Sequence, residues 1–520
     1  MHATARHLQM PTVSHFAILR LILAFSVMFT LLEPAAALAE ERRPNILLIT
    51  ADDLNWNSLG AFGCPVRETT PHLDRLAESG IRFAKAHVTI ALCAPSRGVM
   101  MTGRYPHASG ATGFGPMPAN VATVPEILTD AGYLCGIIDK VGHLNPAAKY
   151  RWSATYSDTG NGRNPSRFGK FAAEFISRAR EAGRPFFLMA NSRDPHRPFA
   201  GSRQERQYID APRNNDERNW ASPKAVALMS LPSRTYTPDE VVVPGFLPDV
   251  PDIREEVADY YNSVRRCDDT VGALLKALDD SGMRDQTLVV FLSDNGMPFP
   301  FAKFSCYPNG THTPLIVRWP GSVGPQQTND EMIAGVDLAP TLLEAAGITP
   351  PAEMDGRSFL PLLKGERQSR RDRVFTAFYS TLLREMVPTR AVQTRRYVYI
   401  FNRWADGATQ CQNEFYKGPA LPAMIASART DPAVAQRVIH FLFRAPEELY
   451  DVDRDPDSLH NLADSLEHRE TLELLRRDLE EWMRRTNDPV LPDFRAMLAG
   501  RLPPMGGPPD PGAGRTSSSH

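Results

Sequence analysis

The sequence predicts an α/β fold: a large domain built on a mostly parallel sheet sandwiched by helices, followed by a smaller α+β domain. Three observations predict it. At 520 residues the chain is too long for one small core. From Pro44 to about Pro361, short and wholly apolar runs alternate with helical patterns, as they do where strands are buried on both faces. After Gly365 the texture changes to shorter, more charged elements.

The expected strands are Asn45–Thr50, Cys135–Asp139, Phe186–Ala190, Thr287–Leu292 and Leu315–Trp319. Thr70–Ser79 reads as a helix because Thr70 can cap it, Pro71 suits its first turn and Gly80 closes it. Longer helical patterns cover Ile253–Asp280 and Asp337–Ala346. In the smaller domain a strand pair is expected around Arg390–Phe401 and a helix near Arg469–Arg484. These elements place the large domain at 40–365 and the smaller one at 366–490. Residues 491–520 are assigned to a disordered tail, since from Arg501 the chain is rich in Pro, Gly and Ser and cannot bury enough apolar surface to offset its ordering entropy.

Residues 1–39 have the form of a cleaved secretory signal: early basic residues, an apolar stretch from Phe16 to Leu32, and a small-x-small site at Ala37-Leu38-Ala39. An uncleaved membrane anchor is the alternative. No later segment has the ~20 apolar residues that a bilayer span requires. The expectation is therefore an exported protein, periplasmic or secreted, or lysosomal in a eukaryote. Six cysteines occur without a C-x-x-C pair, which argues against a zinc ribbon or a thioredoxin-type motif. A formal net charge of −2 supplies no global field for gripping nucleic acid, so an anionic ligand must be caught locally.

In open parallel sheets, ligands bind just beyond the carboxyl ends of the strands. Four of the five candidate strands carry reactive groups there: Asp52 and Asp53 after the first, Lys140 and His143 after the second, Asn191, Arg193, Asp194 and His196 after the third, Asp294 and Asn295 after the fourth. Three converging carboxylates would repel one another unless a cation neutralised them. An all-oxygen donor set selects a hard ion, and the mixed donors favour Ca²⁺ over Mg²⁺. A single Asp pair after a strand is as readily a turn or helix cap; its recurrence after two strands favours the metal reading.

The other constellation is Cys93-Ala94-Pro95-Ser96-Arg97, followed by four residues and Thr102-Gly103. An isolated cysteine would be read as a small buried hydrophobe or half a disulfide. This C-x-P-S-R…T-G pattern, however, resembles the signature of the sulfatases. PNILLITADDL, TPHLDRLAESGIRF, TGRYPH, LSDNG, PLIVRWPG, DLAPTLLEAAGI and ELYDVDRDPDSLHNLA resemble sulfatase blocks in family order, over nearly the whole chain apart from the tail.

The resemblance implies an alkaline-phosphatase-like fold and conversion of Cys93 to formylglycine by a maturating enzyme, with its hydrated aldehyde as nucleophile. It implies that Asp52, Asp53, Asp294, Asn295 and the modified Cys93 bind the metal, and that Arg97 stabilises the nucleophilic oxyanion. Lys140 and Lys303 would clamp sulfonyl oxygens, His196 would protonate the leaving atom, and His143 would assist release of sulfate. SDNGMPFPFAKFSCYPNGTHTPL, SRDPHRPF and PTRAVQTRRYVYIFN look most like the heparan N-sulfatase branch, which implies a sugar sulfamate or related sulfated glycan as substrate. Two departures stand out. Many sulfatases have K-x-H where this chain has Lys140-Val141-Gly142-His143, and many have histidine where Asn295 stands. Met117–Asn120 and Tyr150–Arg167 are candidate pocket segments. The alternatives are a phosphomonoester or phosphonate hydrolase of the same superfold, and an inactive exported protein that binds sulfated glycans should Cys93 stay unmodified.

Overall fold

Eight strands form the main sheet: β1 (Asn45–Asp52), β2 (Ile81–His87), β3 (Leu134–Ile138), β4 (Ala154–Tyr156), β5 (Phe186–Pro195), β6 (Thr287–Ser293), β7 (Leu315–Arg318) and β8 (Gln327–Ala334). The structure is a computed structural model that describes residues 43–210, 228–380, 386–411, 415 and 418–501. The expected signal sequence and the Pro/Gly-rich segment beyond 501 lie outside the described residues.

The strand order is β4-β3-β5-β1-β6-β7-β2-β8. All neighbours pair in parallel except the two pairs made by β7. The reversal of β7 explains why this strand alone has no reactive residues after it: its carboxyl end points to the opposite edge. Thr313, just before β7, is what reaches the functional edge, where its hydroxyl accepts from the Ser293 N–H at 3.0 Å.

Alternation along the central strands places their side chains on two apolar layers. Leu47, Ile49, Leu188, Ala190, Val289 and Phe291 face one, with Phe168, Phe175, Val257 and Val264 of the helices Pro165–Glu181 and Pro251–Asp280. Ile46, Leu48, Phe187, Met189, Leu288 and Val290 face the other, with Met100, Leu338 and Leu342. Both faces are buried, hence the unbroken apolar runs.

A second, antiparallel sheet comprises β9 (Arg373–Ser380), β10 (Met386–Thr394), β11 (Tyr397–Asn402) and β12 (Glu447–Asp451), in the order β12-β11-β10-β9. The helix Arg469–Arg485 packs on it through Leu475 and Leu479, which belong to the same apolar cluster as the first layer of the main sheet. Leu491–Leu498 is a helix rather than tail, because Phe494 is fully buried and packs on Phe401 at 5.1 Å between ring centroids. Among the described residues no helix is long and apolar enough to cross a membrane.

Candidate active site

The site grows from the adjacent ends of β1 and β6. Their parallel register sets Ala51 level with Ser293, so the Asp52-Asp53 and Asp294-Asn295 pairs emerge side by side. The Asp294 N–H donates to the Ala51 carbonyl at 3.1 Å, and the Leu54 N–H to the Ser293 hydroxyl at 2.9 Å. Asp53 turns into the left-handed region at φ 72°, a rare conformation for a residue with a side chain. Its N–H donates to Asp294 Oδ1 at 3.2 Å, and its Oδ1 accepts from Asn295 Nδ2 at 2.7 Å. Gly296 follows because nothing larger fits: a Cβ there would lie 1.9 Å from the Asn309 carbonyl oxygen.

Cys93 opens the helix Cys93–Thr102, where the unpaired amide groups of the first turn add positive potential. The start of this helix lies against the acid pairs and the Lys303 loop: Arg97 pairs with Asp294, and the Phe304 N–H donates to the Ala91 carbonyl at 3.0 Å. Burial pushes the thiol up to about 12. One turn on, Arg97 is fully buried. Its Nη2 lies 2.7 Å and its Nε 2.9 Å from Asp294 Oδ2, while Nη1 donates to the Thr50 hydroxyl at 2.6 Å.

Each carboxylate has its own basic partner. Lys140 Nζ pairs with Asp52 Oδ2, Lys303 Nζ with Asp53 Oδ1 at 2.6 Å, and Arg97 with Asp294. This corrects the electrostatic argument drawn from the sequence: the three acids do not need a metal ion to cancel their repulsion. The metal reading stands instead on their oxygens. Asp52 Oδ1, Asp53 Oδ2 and Asn295 Oδ1 are buried and find no hydrogen-bond partner among the described residues, although leaving such atoms unpaired is costly. Donor atoms of Asp52, Asp53 and His196 lie within 4.8 Å of one another. Hard oxygen donors of this kind suit calcium.

Lys140 is reached through two consecutive left-handed residues, Asp139 at φ 58° and Lys140 at φ 56°. Asp139 holds that turn by accepting from the Lys140 N–H at 2.6 Å, from Arg193 Nε at 2.7 Å and from the Thr159 hydroxyl. A 3₁₀ turn over Val141–His143 then absorbs the extra residue of the K-x-x-H segment and brings His143 Nε2 to 3.4 Å from Lys140 Nζ. Burial, then the Lys140 charge, holds the His143 imidazole far below its ordinary value. His196 follows β5. Its Nδ1 lies 2.6 Å from the Arg197 carbonyl, so Nδ1 carries a proton and Nε2 is the atom that faces Asp53 Oδ2, at 3.9 Å. Burial, then the charge of Lys303, pulls this imidazole down to about 4.

Contacts thus link Asp52 to Lys140 and, through it, His143, Asp53 to Lys303, Asn295 and His196, and Asp294 to Arg97. Other residues were not foreseen as parts of the site. Arg266 grips Asp194 through two bonds, Nε at 2.7 Å and Nη2 at 3.0 Å, and Arg163 Nη2 donates to the His196 carbonyl at 2.9 Å. Together they fix the segment that carries His196. Thr159 and Arg163 both lie within Tyr150–Arg167, so that segment braces the site as well as flanking it. A readable signal for Arg266 was the polar stripe Ser263, Arg266, Thr270, at spacings of three and four along the buried side of the helix.

Comparison with known proteins shows the family. The sulfatase family model matches residues 44–348, and the model described as N-sulphoglucosamine sulphohydrolase, C-terminal, matches residues 299–410. The human N-sulphoglucosamine sulphohydrolase is 31% identical over 496 residues, covering 90% of this chain and 95% of that protein. An ulvan-active sulfatase of Formosa agariphila is 28% identical, covering 88% and 77%. Among solved structures, one in complex with its substrate D-glucosamine-2-N,6-O-disulfate aligns with a TM-score of 0.63 at 19% identity, covering 86% of this chain and 99% of that one. The phosphonate monoester hydrolase of Agrobacterium radiobacter aligns with a TM-score of 0.59 at 20% identity, covering 85% and 96%, and shares the fold. By family match and by identity across nearly its whole length, the chain belongs to the sulfatases, the sulfuric ester hydrolases, and its residues 299–410 match the domain described as N-sulphoglucosamine sulphohydrolase, C-terminal.

Proposed function

We propose that this enzyme removes sulfate from a glucosamine-type sulfated glycan, with an N-sulfo group as the bond cleaved, outside the cytoplasm. The observation that carries this reading is the set of three buried oxygens without a hydrogen-bond partner among the described residues, on Asp52, Asp53 and Asn295, close to the helix that Cys93 of the C-x-P-S-R motif opens. The resemblance to the human N-sulphoglucosamine sulphohydrolase over 90% of the chain supports the substrate class. Converted to formylglycine by a maturating enzyme, residue 93 would supply the nucleophilic hydroxyl, and calcium held by Asp52, Asp53, Asp294 and Asn295, with residue 93 itself, would lower that hydroxyl's pKa.

The chain's own residues do the rest. Three carboxylates matched by three cations make the pocket nearly neutral, and a divalent ion would make it net positive, as capture of an anionic sulfo group requires. Lys140 and Lys303 are buried and pinned, so they meet charge growing on the sulfonyl oxygens without reorganising. Arg97 steadies the oxyanion beside the helix amino end. His196 presents Nε2 to the departing nitrogen or oxygen and would deliver a proton there from its minor imidazolium form, since the ring is pulled down to about 4, and His143, kept neutral, accepts the proton whose loss frees sulfate.

Two results are expected. The tryptic peptide Ala86–Arg97 from the native host carries the formylglycine mass, and the protein hydrolyses N-sulfoglucosamine and nitrophenyl sulfate far faster than nitrophenyl phosphate. An unmodified thiol peptide in an active preparation refutes the assigned nucleophile. Chelation is expected to abolish turnover, and calcium at a hundredfold excess over its Kd to restore it while adding about 2.7 kcal/mol of stability. This is read as a higher thermal midpoint, and no change in midpoint would count against the metal site.

A further inference from the structure

The block around Glu448 has no part in the chemistry above, yet it reaches the active site through one loop. Lys303 sits on the segment Gly296–Thr311 between β6 and β7, between two left-handed phenylalanines, Phe301 at φ 66° and Phe304 at φ 63°. Backbone of this kind persists only where its surroundings hold it. The holding contacts come from the C-terminal part of the chain. The Arg437 guanidinium lies over the Phe301 ring, 3.4 Å from its centroid, and Phe304 packs on Phe378 and Phe415.

Beyond Lys303, the Tyr307 hydroxyl donates to Glu448 Oε2 at 2.6 Å and lies 3.0 Å from His440 Nε2. Glu448 is fully buried on β12. Its remaining lone pairs are filled by the Tyr450 hydroxyl at 2.8 Å and by Asn402 Nδ2 at 2.7 Å. Burial alone would favour the neutral acid, but the hydrogen bond and charge of His440 and the charge of Arg444 hold the carboxyl down to about 2, so it serves as a fixed anionic acceptor. At its other end the loop brings Lys303 Nζ to Asp53.

We infer that Glu448 is a positioning residue: through Tyr307 it clamps the Gly296–Thr311 loop so that the Lys303 ammonium stands fixed at the sulfonyl site. The inference rests on the role proposed for Lys303 and gives the C-terminal sheet a part in the reaction. A charge that stabilises a transition state acts fully only if already in place, and small displacements of such groups are expensive.

The test is a double-mutant cycle on the calcium-loaded, modified enzyme. Tyr307→Phe deletes one hydroxyl and keeps the ring packing, so it folds where Glu448→Gln could fail to. It is expected to lower kcat roughly 10- to 100-fold, with KM changed much less and only a modest fall in thermal midpoint, because Glu448 Oε2 keeps its bond from Tyr450. Lys303→Ala is expected to lower kcat more. In the Lys303→Ala background, Tyr307→Phe should change kcat less than about twofold, because the group it positions is gone. The same loss from Tyr307→Phe in both backgrounds overturns the clamp and leaves the role of Lys303 standing. Full activity in Lys303→Ala overturns both.

Discussion

Cys93→Ala is expected to reduce sulfate ester hydrolysis by about 10⁴-fold or more, the scale on which enzymes lose rate when their nucleophile is deleted. The substitution leaves only a methyl group at a helix start, where the formylglycine would stand, and keeps Asp52, Asp53, Asp294 and Asn295 in place. The folded enzyme should therefore keep a calcium-dependent rise in thermal midpoint while losing turnover. The same geometry explains why the unmodified side chain cannot serve. Burial pushes the Cys93 thiol up to about 12, so the thiolate is scarce near neutral pH. Cys93→Ser is expected to be nearly as poor as Cys93→Ala, because a serine adduct lacks the second hydroxyl that lets sulfate leave without external water. Initial rates on nitrophenyl sulfate and N-sulfoglucosamine check both variants. Retention of more than a tenth of the wild-type rate by Cys93→Ala would remove residue 93 from the chemistry.

The metal-ligand candidates were legible because sheet topology does the work. β1 and β6 are parallel neighbours, so residues immediately after each must share one edge, whatever the rest of the fold does. Lys140, His143 and His196 follow from the same rule applied to β3 and β5. Lys303 does not: it lies eight residues beyond Asn295 in a loop, and only the family resemblance pointed to it. The individual pairings were hidden for a different reason. Which base meets which acid depends on loop paths such as the double left-handed turn at Asp139-Lys140, and no periodicity encodes those.

Among the elements, β8 escaped notice because it is a polar edge strand, much of it exposed, and β4 because it has three residues. β2 has Arg82 and Lys85 on its half-buried positions, which broke the apolar run that identified the central strands. The expected tail began too early because Leu491–Leu498 needs only Phe494 to dock, and one aromatic residue is a weak signal. The dependence of the Lys303 loop on Glu448 and Arg437 joins segments more than a hundred residues apart, a contact that spacing rules do not reach.

Arg97→Ala is expected to be the most damaging single substitution for the fold and the reaction together. The guanidinium is fully buried, and its removal strips Asp294 Oδ2 of both Nε and Nη2 donors and Thr50 of its bond to Nη1. Breaking a buried pair by deleting one member costs about 3–5 kcal/mol, because the surviving charge stays behind unpaired. A bound calcium ion beside Asp294 would recover part of that loss, so the deficit should be larger in chelator than in calcium. Turnover should fall by about 10²- to 10³-fold, the usual effect of removing one fixed donor from a developing oxyanion. Arg97→Lys separates charge from shape: an ammonium restores the positive charge but cannot present a fork to Asp294 and Thr50 at once. It should recover much of the stability and little of the rate. Urea unfolding with and without calcium, alongside kcat for both variants, decides the matter. Wild-type stability in Arg97→Ala would show that the buried ion pair is not what holds β1 and β6 to the Cys93–Thr102 helix.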